Sequence, residues 1–128
     1  MSELSAYLSD IELALIRSPI VANYQIIRAE ENTDDGYVRL RATLVNGDFL
    51  EAAEYFILER GVIRTQDYRY QWMDAGKSTL RKRWDSTPDH PELPNFPHHI
   101  HIGNEQTVEA GQALSLINLL DILERDLV

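Results

Sequence analysis

The chain has 128 residues, 44% of them hydrophobic, no cysteine and a formal net charge of −9. This length and apolar content predict one domain, residues 1–128, with its own hydrophobic core. The composition excludes a disulfide framework and a thiolate metal site. The lack of a long apolar run or a basic, cleavable leader predicts a cytoplasmic protein without membrane attachment.

The charges are unevenly distributed along the chain. Residues 60–83, the basic segment, carry seven basic and two acidic side chains, whereas the parts before and after them each have a net charge of −7. The overall charge argues against a generic nucleic-acid-binding protein, because phosphate binding requires local positive charge. The basic segment therefore either pairs with acidic side chains elsewhere or forms a local phosphate site.

The N-terminal residues predict an amphipathic helix. Pro19 predicts that this helix ends near Ser18, because the residue before a proline disfavours the helical conformation. Four apolar side chains recur at helical spacing and align along one stripe: Leu4, Leu8, Ile11 and Leu15.

Five short segments separated by turn signals predict β-strands. In residues 37–45, apolar side chains occupy every second position, which is typical of a half-buried strand. The dipeptide Asn46-Gly47 follows directly and is a strong hairpin signal. The predicted strands span residues 21–29, 37–45, 49–59, 62–74 and 80–85.

A second helix is predicted for residues 107–126, because apolar residues recur there at spacings of three and four. Two apolar helix faces and one apolar sheet face imply that both helices pack on the sheet. The predicted fold class is α+β: a five-stranded antiparallel meander with an N-terminal and a C-terminal helix packed on the sheet. The sequence leaves open whether the helices share one sheet face or whether the second forms a homodimer.

Four prolines, one at every third residue, mark the proline segment, residues 88–97. This spacing favours a polyproline II helix, which would span ~28 Å and could cross the whole sheet. One edge of such a helix would carry His90, Leu93, Phe96 and His99. The segment is therefore either a strap that docks on the body of the protein or a loop that carries function.

The HHIH sequence at residues 98–101 contains three of the four histidines. In an extended chain His99 and His101 point to one side and His98 to the other. His99 and His101 could share a metal ion, but the spacing is not a recognised zinc signature, so no metal site and no cofactor are predicted. Alternatively, a histidine pair can act as general acid and general base near neutral pH. The candidate oxygen donors for a shared metal ion are Asp85, Asp89 and Glu92.

Arginines add to the acid–base interpretation. Arg81 and Arg83 share one face of the fifth predicted strand, and Arg69 lies on the fourth. Guanidinium groups can stabilise the charge that develops at phosphorus when a 2′-hydroxyl attacks it. Arg39 and Arg41 either pair across strands with a glutamate (Glu51 or Glu54) or hold phosphate.

Aromatic side chains alternate with the arginine of the fourth predicted strand. Tyr68, Tyr70 and Trp72 either form the core beneath a helix or provide a platform on which bases stack.

Three motifs together resemble the TumE-type toxin family of bacterial type II toxin–antitoxin modules. They are YRYQW at residues 68–72, RKRWD at residues 81–85 and PDHPELPNFPHHIH at residues 88–101. The resemblance implies a small bacterial toxin, encoded beside a helix-turn-helix antitoxin that neutralises it. Toxins of such modules most often act on RNA or translation. The acidity of this chain departs from that pattern, because many RNA-cleaving toxins are basic.

Two functional hypotheses follow. The first is a ribonuclease-like toxin that acts on RNA, and the second is a non-catalytic module that docks a protein partner through the basic strands and the proline segment. For the first, the predicted catalytic residues are His98, His99, His101 and Asp85, and the predicted substrate-binding residues are Arg69, Arg81, Arg83, Tyr68, Tyr70 and Trp72.

Overall fold

The computed structural model describes residues 2–127, which form two helices and one antiparallel sheet of seven strands in the order β1-β2-β3-β4-β5-β6-β7. The helices are α1 (Glu3–Arg17) and α2 (Leu116–Leu127). The strands are β1 (Val21–Glu31), β2 (Asp35–Leu44), β3 (Phe49–Glu59), β4 (Val62–Met73), β5 (Leu80–Asp85), β6 (His99–Ile102) and β7 (Val108–Ala110).

The predicted α+β class, the two helices and the single antiparallel sheet are confirmed, but the predicted number of five strands is wrong. The HHIH sequence forms β6, and β7 pairs with it through Val108, Glu109 and Ala110. The turn between them is closed by Asn104, whose side-chain oxygen accepts hydrogen bonds from two backbone N–H groups. The predicted helix over residues 107–126 therefore begins too early, because the residues of β7 are held by β6.

Helix α1 ends where the proline signal predicts. Ser2 caps its N-terminus by accepting a hydrogen bond from the Ser5 backbone N–H at 3.0 Å, and Ser18 is its C-cap. The Glu31 carboxylate at the end of β1 accepts hydrogen bonds from the hydroxyls of Ser2 and Ser5. The start of the helix is thereby attached to the end of the first strand.

Both helices pack on the same face of the sheet and contact each other. Helix α2 buries four leucines within this core: Leu116, Leu119, Leu120 and Leu123. Neither helix of residues 2–127 is long and apolar enough to cross a membrane. The opposite face of the sheet is not covered by a helix, and we call it the open face.

The proline segment does not cross the sheet. It connects β5 to β6, which are hydrogen-bonded neighbours, with Asp85 opposite His99. Because its two ends lie one strand spacing apart, the segment folds back through turns instead of running as an extended helix. Asn95 has a φ of 62°, the Phe96–Pro97 bond is cis, and Phe96 is 45% exposed instead of docked.

A buried carboxyl group joins the helices to the sheet. Glu54 on β3 is 0% exposed and accepts hydrogen bonds from the hydroxyls of Tyr7 (2.7 Å) and Thr65 (2.6 Å) and from the Leu116 N–H (3.2 Å). Burial raises the pKa of Glu54, and the hydrogen bonds from Thr65, Tyr7 and Leu116 offset this effect only in part.

This raised pKa predicts a pH-dependent effect of Glu54→Gln. A carboxyl group with a folded-state pKa above its unfolded value contributes stability below the unfolded value, and this stability is lost as the pH rises through the folded pKa. Glutamine does not titrate. The unfolding free energy of the native chain minus that of E54Q should therefore fall as the pH rises above the ordinary pKa of a glutamate. Urea unfolding of both proteins at a series of pH values measures this difference. A difference that stays constant or grows with pH would contradict a raised pKa of Glu54.

Candidate active site on the open face

The strand register brings distant residues together on the open face. Residues that are directly opposite in an antiparallel sheet point to the same side, with Cβ atoms about 5 Å apart. Strands β4, β5 and β6 pair so that two rows form there: Arg69, Asp85 and His99 in one, and Gln71, Arg83 and His101 in the other. Of the imidazoles and guanidinium groups predicted to meet, those of His99, His101, Arg69 and Arg83 therefore share one face.

Three imidazoles form a compact group, which we call the histidine cluster: His90, His99 and His101. One nitrogen from each ring lies within 4.8 Å of a nitrogen of the other two. The ring centroids of His99 and His101 are 4.9 Å apart, and His90 lies 4.9 Å from the first and 5.9 Å from the second. His99 is 1% exposed and His101 is 5% exposed, because the loop that carries His90 covers them.

Hydrogen bonds fix the protonated nitrogen in each ring of the cluster. Nδ1 of His99 lies 2.9 Å from the carbonyl oxygen of Pro97, and Nδ1 of His101 lies 3.0 Å from that of Glu105. A carbonyl oxygen only accepts, so both Nδ1 atoms donate, and in the neutral ring Nε2 then carries a lone pair. Nδ1 of His90 likewise donates to the Glu92 carboxylate at 3.1 Å. Burial lowers the pKa of His101, which favours the neutral ring.

Asp85 lies beside the cluster and faces two buried polar atoms. Its Oδ1 accepts hydrogen bonds from the backbone N–H and the hydroxyl of Thr87. Its Oδ2 is 3.9 Å from His99 Nε2 and 3.6 Å from Arg83 Nε. Both of these nitrogens are buried and have no hydrogen-bond partner among residues 2–127. The Asp85 oxygen is therefore held at the edge of the cluster.

His98 does not join the cluster. Its ring is stacked on Tyr68 at 5.8 Å, and its Nδ1 lies 2.9 Å from the Tyr68 hydroxyl, which donates to the carbonyl oxygen of Gln112. This position follows from the alternation along an extended chain, which turns His98 to the side opposite His99. The predicted catalytic group is thus divided, and His98 is a core-side residue.

The predicted phosphate-binding arginines also differ from one another. The Arg83 guanidinium is 7% exposed and forms two hydrogen bonds, of 2.6 and 2.5 Å, with the Glu105 carboxylate. Arg81 forms a bidentate pair with the buried Asp48 carboxylate. Arg69 is exposed, and its only side-chain hydrogen bond within residues 2–127 is a 3.4 Å contact with Gln71. Of the three, Arg69 is the one free to bind a ligand.

Acidic side chains neutralise much of the basic segment. Besides Arg81 and Arg83, Arg64 pairs with Glu59 at 3.2 Å and Lys82 pairs with Asp126 at 3.6 Å. Arg39 and Arg41 both pair with Glu51, while Glu54 lies on the other face. The positive charge does not form one continuous patch.

The aromatic residues of β4 lie in the core. Tyr68, Tyr70 and Trp72 are at most 8% exposed, and the hydroxyl of Tyr70 donates to the carbonyl oxygen of Leu114. Their rings face the helices, so no ring face is open for base stacking on the side that carries Arg69.

Two other tyrosines line a groove on the open face. Tyr37 and Tyr55 stand opposite each other on β2 and β3. Two adjoining hollows of about 330 and 370 Å³ share Tyr37, Ala53 and Arg69 in their walls, and the first also contains Tyr55 and Pro88. We call them together the open-face groove. Arg69 in its wall stands in one row with Asp85 and His99, but these two side chains are buried and do not line the groove.

Sequence reasoning missed four of these residues: His90, Glu105, Tyr37 and Tyr55. The three-residue spacing of the proline segment placed His90 and His99 on one edge, which was the available signal for His90. Tyr37 and Tyr55 alternate with buried residues on their strands. Their position on the open face could therefore have been predicted from the sequence. Glu105 lay in an unassigned turn and gave no signal.

The family comparison decides the class of protein. The family model described as "Toxin TumE" matches residues 11–127. This chain belongs to the TumE toxin family. Membership confirms the resemblance noted in the three sequence motifs and indicates a toxin role in a toxin–antitoxin module, with an antitoxin as the partner. Comparison with curated proteins and with solved structures gave no significant match.

The ion pair between Arg83 and Glu105 predicts a stability effect of Glu105→Gln. One of the two hydrogen bonds to the buried guanidinium and the carboxylate charge are lost, and because the Glu105 side chain is 60% exposed, we expect a cost of about 1–2 kcal/mol. Urea unfolding measures it. Glu109→Gln is the matched control, since Glu109 is exposed on neighbouring β7. Equal effects of the two substitutions would contradict a stabilising role for the pair.

Proposed function

We propose that this TumE family member is a toxin that cuts RNA, with the phosphodiester bond held between the open-face groove and the histidine cluster. The observation that carries the proposal is that Arg69, Asp85 and His99 form one row on the open face. The free Arg69 guanidinium lines a groove of the size that binds small ligands. The buried Asp85 carboxylate and the imidazole of His99 continue its row behind the groove wall.

The groove offers the contacts that single-stranded RNA uses. Tyr37 and Tyr55 provide aromatic surface for a base, which is recognised by stacking without sequence preference. Arg69 provides a bidentate donor for a phosphate. Because base stacking supplies part of the affinity, a bound RNA needs fewer phosphate contacts. An acidic chain with a local arginine is therefore compatible with RNA binding.

The histidines contribute differently from the acid–base scheme expected from the sequence. His98 lies on the core side, and His99 and His101 are buried, with Nδ1 of each bound to a backbone carbonyl oxygen. A direct proton transfer by either buried ring would require the groove ligand to enter the cluster. We propose that the half-buried His90 is the group of the cluster closest to the bound phosphate.

The proposed partner is a helix-turn-helix antitoxin in the bacterial cytoplasm, which blocks the toxin by binding it. A non-catalytic docking module remains the second candidate. It is favoured by the pairing of Arg81 and Arg83 with acidic residues, which removes two of the three predicted phosphate contacts.

Arg69→Ala tests the RNA hypothesis directly. We expect purified protein to cut RNA, and R69A to cut it about 10–100-fold more slowly, which corresponds to about 1.4–2.7 kcal/mol. Gel analysis of a labelled single-stranded RNA measures the rate. Arg64→Ala is the matched control, because Arg64 is exposed on the same strand about 16 Å away. No cleavage by the native chain, or equal loss in both variants, would favour the docking module.

Growth of a bacterial host tests the toxin role separately. Induced expression should arrest growth, and co-expression of the neighbouring antitoxin gene should relieve the arrest. The R69A variant should be less toxic at equal protein level, whereas R64A should match the native chain. Full toxicity of R69A at equal level would show that the groove is not the toxic site.

A further inference from the structure

The histidine cluster contains a buried ring nitrogen, His99 Nε2, that has no hydrogen-bond partner within residues 2–127. In each ring Nδ1 donates to an oxygen outside the cluster, to Glu92, Pro97 or Glu105. Each Nε2 is therefore an acceptor. His99 Nε2 is fully buried, and no donor within residues 2–127 reaches it. With Nδ1 as the protonated nitrogen of a neutral ring, the three imidazoles cannot hydrogen-bond to one another through Nε2, because Nε2 then carries no proton.

A buried acceptor without a donor is costly, so this arrangement calls for an electropositive occupant. The Nδ1 contacts match those of metal-binding histidines, whose second ring nitrogen usually donates to a backbone carbonyl or a carboxylate. Two of the three contacts here are to carbonyl oxygens and one is to a carboxylate. These contacts fix both the tautomer and the ring orientation before any ion arrives.

We propose that His90, His99 and His101 bind one divalent transition-metal ion through their Nε2 atoms, with zinc as the best-fitting probe. Imidazole ligands suit zinc, copper, iron and nickel, whereas magnesium and calcium prefer oxygen ligands. Ligands of a tetrahedral zinc ion lie about 3.3 Å apart, since each bond is about 2.0–2.1 Å long. The observed separations of up to 4.8 Å close by up to about 1.5 Å, mainly through His90 on its loop.

The ion would have two effects at this position. It would join the proline segment, through His90, to β6, through His99 and His101. It would also leave a fourth position next to the Asp85 carboxylate, and three protein ligands with one open position are the pattern of catalytic zinc sites. Only this second, catalytic effect rests on the proposed RNA cleavage. Metal binding itself does not.

Metal binding is tested on the purified chain without RNA. Chelator-treated and dialysed protein is titrated with Zn²⁺ by calorimetry, and the bound metal is measured by elemental analysis after gel filtration. We expect one ion per chain and a rise in Tm on loading, because an ion that binds only the folded state stabilises it. Co²⁺ should give the visible absorption of a tetrahedral site with nitrogen ligands.

Histidine-to-asparagine variants separate coordination from packing. Asparagine places a polar atom near the position of Nδ1 and has none at Nε2, so His90→Asn and His101→Asn remove the ligand while keeping the outer hydrogen bond. Each should weaken Zn²⁺ binding by more than the 10–100-fold that loss of an outer-shell contact costs. His98→Asn is the matched control and should retain one ion per chain, because His98 lies outside the cluster. Circular dichroism confirms that each variant is folded.

Two results would overturn the metal site. One is the absence of saturable, stoichiometric binding of Zn²⁺ or Co²⁺ by the native chain. The other is unchanged binding in H90N and H101N. A chain that binds zinc but does not cut RNA, with or without the metal, would keep the metal site and reject the proposed RNA cleavage. Cleavage that is equally fast in chelator-treated and reloaded protein would reject the catalytic effect alone.

Discussion

The register between β4, β5 and β6 is the constraint on which the rest of the site depends. It places Asp85 opposite both Arg69 and His99, and Arg83 opposite both Gln71 and His101. A shift of one residue would turn these side chains toward the helices and bring the core aromatics to the open face. The burial of Tyr70 and Trp84 against the helices therefore also fixes the positions of the charged and imidazole groups on the other side.

The same register explains how buried histidines occur on a face without a helix. The loop between β5 and β6 starts and ends beside the cluster, so it folds back over the site and brings His90 onto His99 and His101. Arg83 is also buried, and the carboxylates of Glu105 and Asp85 balance its positive charge. Part of the chain's negative charge is thus neutralised within the protein, because several carboxylates pair with arginines of the basic segment. Arg69, exposed on the groove wall, forms no such ion pair within residues 2–127.

Local patterns predicted most of the fold. Alternation along β2, the Asn46-Gly47 turn and the proline after α1 each encode their structure within a few residues, and those elements lie close to their predicted positions. The β6–β7 hairpin was missed because its strands are four and three residues long, too short for a periodic signal. The apolar spacing that begins at Ala113 was extended backwards over β7, since Val108 and Ala110 also fit a helix.

The candidate site was only partly accessible from the sequence. Alternation alone separated His98 from His99 and His101, and it placed Arg69 opposite the aromatic side of β4. Pairing partners were not accessible, because Arg81 meets Asp48 and Arg83 meets Glu105 across separations of 33 and 22 residues. The position of His90 depends on the path of the loop between β5 and β6, and the proline spacing suggested that this path is straight. Its turns, including the one at Asn95, are set by the closeness of the strand ends.

Substitutions on the two faces of β4 would inactivate the protein in different ways. Cells that survive expression of this protein would carry inactivating substitutions of two kinds, and these would alternate along the strand. Changes at Tyr68, Tyr70 or Trp72 would remove the protein from the soluble fraction, since those rings form the core. If Arg69 acts as proposed, changes there would leave normal amounts of a harmless protein. An immunoblot would identify the surviving cells that still contain normal amounts of the protein. Their substitutions would map the surface that is needed for toxicity, without any assay of its chemistry.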